Sequence, residues 1–200
     1  HADGIEADLR SQVRARWGLP VDAVVFLYVG RLEPHKGIQE LLCAFALLSA
    51  VPEPVALMLV GDGSMQESLT KAALADPRIC CTGRLSGNAL LEAYVAADVF
   101  VLPSRFEPWG LVVNEAMACN LPVIATDRVG CVADLVIEGK TGLLVPAESV
   151  QELADAMAAL RQAPLLREKM RRNARSLISG WTIQKEAEIM VTTWNRLLEF

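Results

Sequence analysis

The sequence predicts an α/β fold: a doubly wound, Rossmann-like parallel sheet of about six strands with helices on both faces. Three observations predict it. Short apolar runs recur along the chain, most of them ending at Gly or Pro. These runs are continuous rather than alternating, so both faces of each strand are expected to be buried, as in a parallel sheet. Between them lie stretches with helical spacing, which gives the βαβα rhythm of a crossover fold.

In order, a helical stretch over Glu6–Trp17 leads into the first run, Val24–Gly30, and a helix is expected over Gly37–Ala50. Val55–Gly61 is followed by Met65–Ala75, Ile79–Gly83 by Ala89–Ala97, and Val99–Pro103 by Leu111–Cys119. Pro122–Thr126 and Gly142–Pro146 complete the six strands. After Pro146 the pattern changes to three amphipathic helices, Val150–Arg161, Leu165–Ser176 and Ile183–Leu198. No repeat, low-complexity tract or Gly/Ser linker interrupts the chain, so residues 1–200 read as one domain. It divides into a lead-in (1–22), a βα core (23–146) and C-terminal helices (147–200).

Composition narrows the function classes. With 52% apolar and 22% charged residues the chain is not disordered, and 200 residues suffice for one core but not for two full-sized domains. The net charge of −5, from 24 acidic and 19 basic residues without a basic stripe, gives no electrostatic footprint for nucleic acid. A small anionic ligand is still compatible, because it feels nearby cations more than the distant sum. The longest apolar run, Leu41 to Ala50, broken only by Ser49, is short of the roughly 20 residues of a membrane span, and from the polar start no signal peptide is expected. The chain begins at His1 rather than Met, from which an upstream segment is expected. Cys43, Cys80, Cys81, Cys119 and Cys131 form no CxxC pair and lie in apolar contexts. They read as reduced thiols packed in the core of a cytoplasmic protein, with no metal expected.

In doubly wound sheets, ligands sit beyond the carboxyl ends of the strands, near the switch in strand order. The residues just after each run therefore carry the chemistry. Gly30 permits close backbone approach, and Arg31 and Lys36 bracket the loop into the next helix. These two cations suit a pyrophosphate, one as a planar fork and the other as a point charge; the alternative is surface charge beside a turn. His35, in the same loop, reads as a solvated histidine. Gly61-Asp62-Gly63-Ser64 is a tight turn with Ser64 as a candidate helix cap. Neither GxGxxG nor GxxxxGK[ST] occurs, so nicotinamide-cofactor and P-loop readings lose their signature. At Gly83-Arg84-Leu85, exposed backbone is placed to read a base.

The richest segment runs from Pro103 through Glu107, Pro108, Trp109, Gly110, Leu111 and Val112 to Glu115. Gly110 is a weak cap, which leaves the first-turn N–H groups of Leu111, Val112 and Val113 for an anion. Glu115 stands in an apolar stretch, where a vicinal diol would satisfy both of its oxygens. A salt bridge or an exposed helix face would serve a carboxylate equally well.

The stretch E-P-W-G-L-V-V-N-E-A-M-A resembles the E-x7-E motif of the retaining GT-B glycosyltransferases of family 4, the glycosyl transferases group 1. The resemblance covers nearly all of residues 24–146. V-G-R-L-x3-K-G, L-V-G-D-G, G-R-L, A-D-V-F-V-L-P-S-R-x-E-P-W-G, P-V-I-A-T and G-x-T-G-L-L-V-P follow in the family's order. It implies the C-terminal, donor-binding half of a GT-B enzyme, with the N-terminal acceptor domain lying outside this sequence. By position it implies that Arg31 and Lys36 hold the donor diphosphate beside Gly30, and that Glu115 holds the ribose. Glu107, as the catalytic glutamate, would lie against the sugar. Trp109 and Gly110 would offer backbone to sugar hydroxyls, Leu111 and Val112 would offer N–H groups to phosphate, and Gly83, Arg84 and Leu85 would meet the base. Trp109 stands where the family more often has Phe.

The implied partner is a nucleoside-diphosphate sugar, built on UDP or GDP, together with the missing domain and a lipid or saccharide acceptor. The implied location is the cytoplasm, peripheral to the membrane through the missing domain. No D-x-D pair exists to hold a metal, so no cofactor is expected, and the fragment by itself is expected to transfer no sugar. A glycosidase reading of Glu107 and Glu115 as acid and nucleophile is disfavoured, since one carboxylate occupies the ribose position and no sugar cleft is encoded nearby. A non-catalytic sugar-nucleotide-binding module and a sugar-nucleotide epimerase on the same architecture are the alternatives.

Overall fold

The computed structural model describes residues 2–48, 54–182 and 185. Helix α1 (Ala2–Arg16) precedes strand β1 (Val24–Val29), a 3-10 turn over Pro34–Lys36 and helix α2 (Ile38–Leu47). Next come β2 (Val55–Val60), α3 (Gln66–Ala75), β3 (Ile79–Gly83), α4 (Gly87–Ala96), β4 (Val99–Leu102), α5 (Leu111–Ala118) and β5 (Val123–Thr126). The short helix α6 (Val132–Leu135), β6 (Gly142–Val145), α7 (Val150–Gln162) and α8 (Pro164–Ile178) follow. The helix expected over Ile183–Leu198 lies outside the described residues apart from Lys185.

All six strands are parallel, in the order β3-β2-β1-β4-β5-β6. The chain leaves β1 in one direction to build β2 and β3, then crosses back to lay β4 on the other side of β1. That reversal places the switch point between β1 and β4.

Every residue of β1, β2, β4 and β5 is buried, as continuous apolar runs require. The outer strands differ from the expectation: β3 is only half-buried throughout, and β6 buries its two ends alone. They are the two edges of the sheet, each with a neighbour on one side, so an apolar run there is covered incompletely. Phe26, Leu27 and Tyr28 at the centre are fully enclosed, and burial of such a side chain contributes about 1.5–3 kcal/mol.

Helix α1 is fastened to the sheet by charge. Asp98, just before β4, pairs with Arg10 and with Arg14 (Nη2 to Oδ2, 2.7 Å), and also accepts the Val25 N–H (2.8 Å). Arg14 is buried, and three more of its guanidinium N–H groups donate to the carbonyls of Ala96 (2.9 Å), Val21 (2.7 Å) and Ala23 (2.9 Å). Each of the three nitrogens of that buried cation therefore has an acceptor.

The five cysteines do not form one buried set. Cys43 is exposed, Cys80, Cys81 and Cys119 are half-buried, and only Cys131 is fully enclosed; all five are free thiols. Helical spacing accounts for Cys43, since Leu41, Ala44 and Phe45 turn the core face of α2 inward and leave position 43 outside. Burial pushes the Cys131 thiol up to about 11, which keeps it protonated and unreactive at neutral pH. Iodoacetamide at pH 7.5 is therefore expected to label Cys43 first and Cys131 only after denaturation, as peptide mass mapping would read. Early labelling of Cys131 would contradict its enclosure.

Candidate functional site

The loops after β1 and β4 meet over the switch point. A cleft of about 450 Å³ opens there, lined by Gly30, Arg31 and Lys36 on one side and by Glu107, Gly110 and Val112 on the other. A second hollow of about 320 Å³ shares Gly30 and Arg31 with it and runs toward Gly61, Asp62, Arg84 and Leu85. The two together trace an extended trough across the carboxyl ends of β3, β2, β1 and β4.

Close backbone approach shapes this trough. Gly61, at φ 146°, packs so tightly under the first loop that a Cβ on it would stand 1.8 Å from the Gly30 carbonyl oxygen. Any side chain there would force the loops after β1 and β2 apart. The same two loops are laced by Leu32, whose N–H donates to Asp62 (2.7 Å) and whose carbonyl accepts the Met65 N–H (2.9 Å).

Ser64 does not cap α3, whose N-cap is Met65. Its hydroxyl and N–H instead both donate to Glu33 (2.6 and 3.2 Å), while Arg31 donates to the same carboxylate at 3.1 Å. The Ser64 hydroxyl first, and then Arg31, hold the Glu33 carboxyl down to about 2. Glu33 thus tethers Arg31, whose side chain is otherwise exposed. From the cleft wall, the buried Tyr28 hydroxyl donates to the Arg31 carbonyl at 2.7 Å. Burial, with Glu107 nearby, raises the Tyr28 phenol well above its ordinary value, so it remains a donor. Neither Glu33 nor Tyr28 is marked by a motif; only their positions beside the glycine-rich loops hint at them.

Lys36 and Glu107 face one another across the cleft as an ion pair (2.6 Å), both largely shielded from water. Arg105, in the loop after β4, donates its N–H to the His35 carbonyl (2.9 Å), so the two lips are also joined by backbone. His35 itself is exposed on the rim. The β4–α5 loop is pinned from beneath by residues 128–131. Glu107 N–H donates to Arg128, Gly130 N–H to Glu107, and Cys131 N–H to Trp109, at 2.9–3.1 Å. The Trp109 carbonyl therefore already accepts one hydrogen bond and keeps one lone pair. Its indole donates to Asn114 (3.1 Å), and its ring lies 6.0 Å from that of Trp181.

Gly110 caps α5 in the left-handed region (φ 93°), a conformation that favours glycine. Its carbonyl accepts the Val113 N–H at 2.8 Å, so Val113 is not available to a ligand as the weak cap implied. Among the described residues, the N–H groups of Leu111 and Val112 have no acceptor, and both residues line the cleft. They present the positive end of α5 to the space beside Lys36.

Glu115 lies one turn further on, exposed and outside the lining of both hollows. Its carboxylate accepts a hydrogen bond from the buried Tyr94 hydroxyl (2.7 Å), so it bears no burial penalty and needs no cation. Tyr94, one helix earlier, is a partner that spacing along the chain does not reveal. Gly83 is left-handed (φ 74°) and its carbonyl accepts the Gly61 N–H (2.9 Å), while Arg84 stands exposed at the hollow's edge. Among the described residues no cluster of His, Cys, Asp and Glu is able to hold a metal, and no helix is long and apolar enough to cross a membrane.

The chain is similar to known proteins over most of its length. It is 36% identical over 172 residues to alpha-D-kanosaminyltransferase of Streptomyces kanamyceticus, a match covering 84% of this chain and 44% of that protein. The chain spans a little under half the length of the curated relatives it matches. It superposes on the C-terminal domain of the group 1 family glycosyl transferase LpcC of Francisella tularensis with a TM-score of 0.75 at 27% identity, covering 87% of this chain and 93% of that one. Anabaena HepE, solved in complex with UDP-glucose, matches with a TM-score of 0.80 at 25% identity over 94% of this chain and 53% of that one. The model of the family "Glycosyl transferases group 1" matches residues 10–177. With that match spanning most of the sequence, and with the sheet of the family's C-terminal domain, the chain belongs to the group 1 glycosyl transferases.

Proposed function

We propose that this domain grips the nucleoside-diphosphate portion of a sugar donor, and that the protein containing it transfers the sugar to an acceptor with retention of anomeric configuration. One observation carries the reading: Lys36 and the bare α5 N–H groups of Leu111 and Val112 converge on one cleft at the β1/β4 switch point. Arg31 extends the same positive surface toward the second hollow. The HepE structure, similar at 25% identity, was solved with UDP-glucose, which matches the proposed donor class.

In the reaction, the bond between the anomeric carbon and the phosphate oxygen breaks, and its electron pair goes to the nucleoside diphosphate. An acceptor hydroxyl oxygen bonds to the anomeric carbon and passes its proton to the departing phosphate oxygen. Charge therefore grows on the phosphate while the sugar becomes oxocarbenium-like. Fixed donors aimed at the phosphate stabilise that change by about 3 kcal/mol each. Lys36 has three N–H donors, so it can serve a phosphate oxygen while keeping Glu107. Glu107 then stands beside the anomeric end of the donor, placed to accept from a sugar hydroxyl. The hollow between Arg31 and Arg84 takes the base, and the ribose lies outside it toward Glu115, whose carboxylate Tyr94 holds in place. Acceptor choice belongs to the part of the protein beyond this domain.

Calorimetry tests the reading. UDP or GDP is expected to bind, and Glu115→Gln is expected to weaken either ribonucleotide by about tenfold while leaving the 2′,3′-dideoxy forms unchanged. Equal losses for both forms would make Glu115 structural, and no binding of either nucleotide would end the proposal.

A further inference from the structure

A third hollow, of about 420 Å³, lies beyond the carboxyl ends of β5 and β6 and shares no lining residue with the cleft. Arg105, Phe106, Asp127, Arg128 and Glu148 supply its side chains. We propose that it is a binding subsite for a neutral saccharide, separate from the nucleotide trough.

Four features carry this. First, the charges are mixed: Arg105 and Arg128 supply two cations, and Asp127, Glu148 and the underlying Glu40 supply three carboxylates. Two against three leaves no positive surplus to attract a phosphate. The mixture does offer both donors and acceptors, which is what vicinal hydroxyl groups require. Second, Arg105 is preset. The buried Glu40 accepts from its Nε (2.9 Å) and Nη2, while Nη1 points to the Glu148 side, 3.7 Å from that carboxylate and beyond hydrogen-bond range.

Third, Glu148 adopts φ 64°, an uncommon conformation for a residue with a side chain, at the turn where the β6 loop closes over the pocket. Asp127 holds that turn by accepting the Ala147 N–H at 3.0 Å. Backbone held in a sparsely populated region points to a constraint on where its side chain must stand. Fourth, Phe106 is 65% exposed at the rim of the hollow. An exposed ring above a polar pocket matches a sugar, which presents C–H groups on one face and hydroxyls at its edge. Phe106 directly precedes Glu107, so a saccharide held here would lie next to the glutamate at the end of the donor cleft.

Saturation-transfer NMR with methyl α-D-glucopyranoside, maltose and N-acetylglucosamine tests the proposal on the 200-residue chain. Transfer to at least one sugar is expected, and Phe106→Ala should weaken it by about tenfold. Glu148→Gly should weaken it similarly while the melting temperature stays at or near that of the parent chain, because glycine suits the left-handed backbone. The UDP affinity of Phe106→Ala should stay within about twofold, a change of about 0.4 kcal/mol. No transfer to any of the three sugars, unchanged transfer in both variants, or displacement of the sugar by UDP would each overturn the proposal.

Discussion

Replacing Asp98 with Ala is expected to lower the free energy of unfolding by about 3–5 kcal/mol, because it strands the buried Arg14 without its carboxylate. The Arg14 side chain is 4% exposed and that of Asp98 15%. Three carbonyls would still accept from Arg14, but none carries a full charge. The Val25 N–H would lose its acceptor at the same step. In a domain of this size the loss corresponds to roughly 6–20 °C in melting temperature. Urea unfolding checks it, and a loss below about 1 kcal/mol would mean that water relieves the cation.

The pH dependence follows in sign. Burial pushes the Asp98 carboxyl up, but Arg10, Arg14 and the Val25 N–H together pull it below its ordinary 3.8. Its contribution is thus fully present above that value and is lost as pH falls through the lower folded value. Wild type should lose stability across that acid window, and Asp98→Ala should not show the same step.

The second large effect concerns the cleft. Lys36→Ala is expected to raise the Kd for UDP or GDP by about 10- to 100-fold, the range for a hydrogen bond to a charged group in a shielded site. Arg31→Ala should cost less, about threefold to tenfold, because its side chain is 71% exposed and screened by water. Lys36→Ala also leaves Glu107 shielded without its cation, so it should lower the melting temperature slightly. Adding Glu107→Gln should restore stability but not affinity, which separates ligand contact from ion-pair loss. If Arg31→Ala proved more damaging than Lys36→Ala, the diphosphate would lie nearer the second hollow than proposed.

Much of this architecture is legible in the sequence, for identifiable reasons. Val24–Val29 and Val55–Val60 stand out because a strand covered on both faces must be apolar throughout, and glycines mark where each ends. The four-residue helix Val132–Leu135 and the turn Pro34–Lys36 are shorter than any period that could announce them. Edge position explains why β3 and β6 read as fully buried and are not: composition reports what a strand tolerates, and strand order decides what covers it.

The candidate site divides the same way. Local features such as Gly110 before α5 are visible in the chain, whereas the pairs that organise them are not. Lys36 meets Glu107 across 71 positions, Glu33 meets Ser64 across 31, and Tyr94 reaches Glu115 across 21. Nothing in local spacing distinguishes a carboxylate that will meet such a partner from one that will face water. Glu115 illustrates the point: its apolar neighbours suggest burial, but α5 turns it outward to Tyr94.

The strand order also has a mechanical consequence. Residues 24–83 form one ribbon, β3-β2-β1, residues 99–145 form another, β4-β5-β6, and a single seam joins them. Along that seam the paired register is two residues long, against six between β1 and β2. At its lower end Asp98 stitches the ribbons together, exchanging hydrogen bonds with both the N–H and the carbonyl of Val25. At its upper end the lips are Lys36 from one ribbon and the start of α5 from the other. A diphosphate bound there would act as a rivet, closing the joint of shortest paired register from the side opposite Asp98. The donor would then be a structural part of the domain as well as its cargo, stiffening the joint on arrival and loosening it on departure.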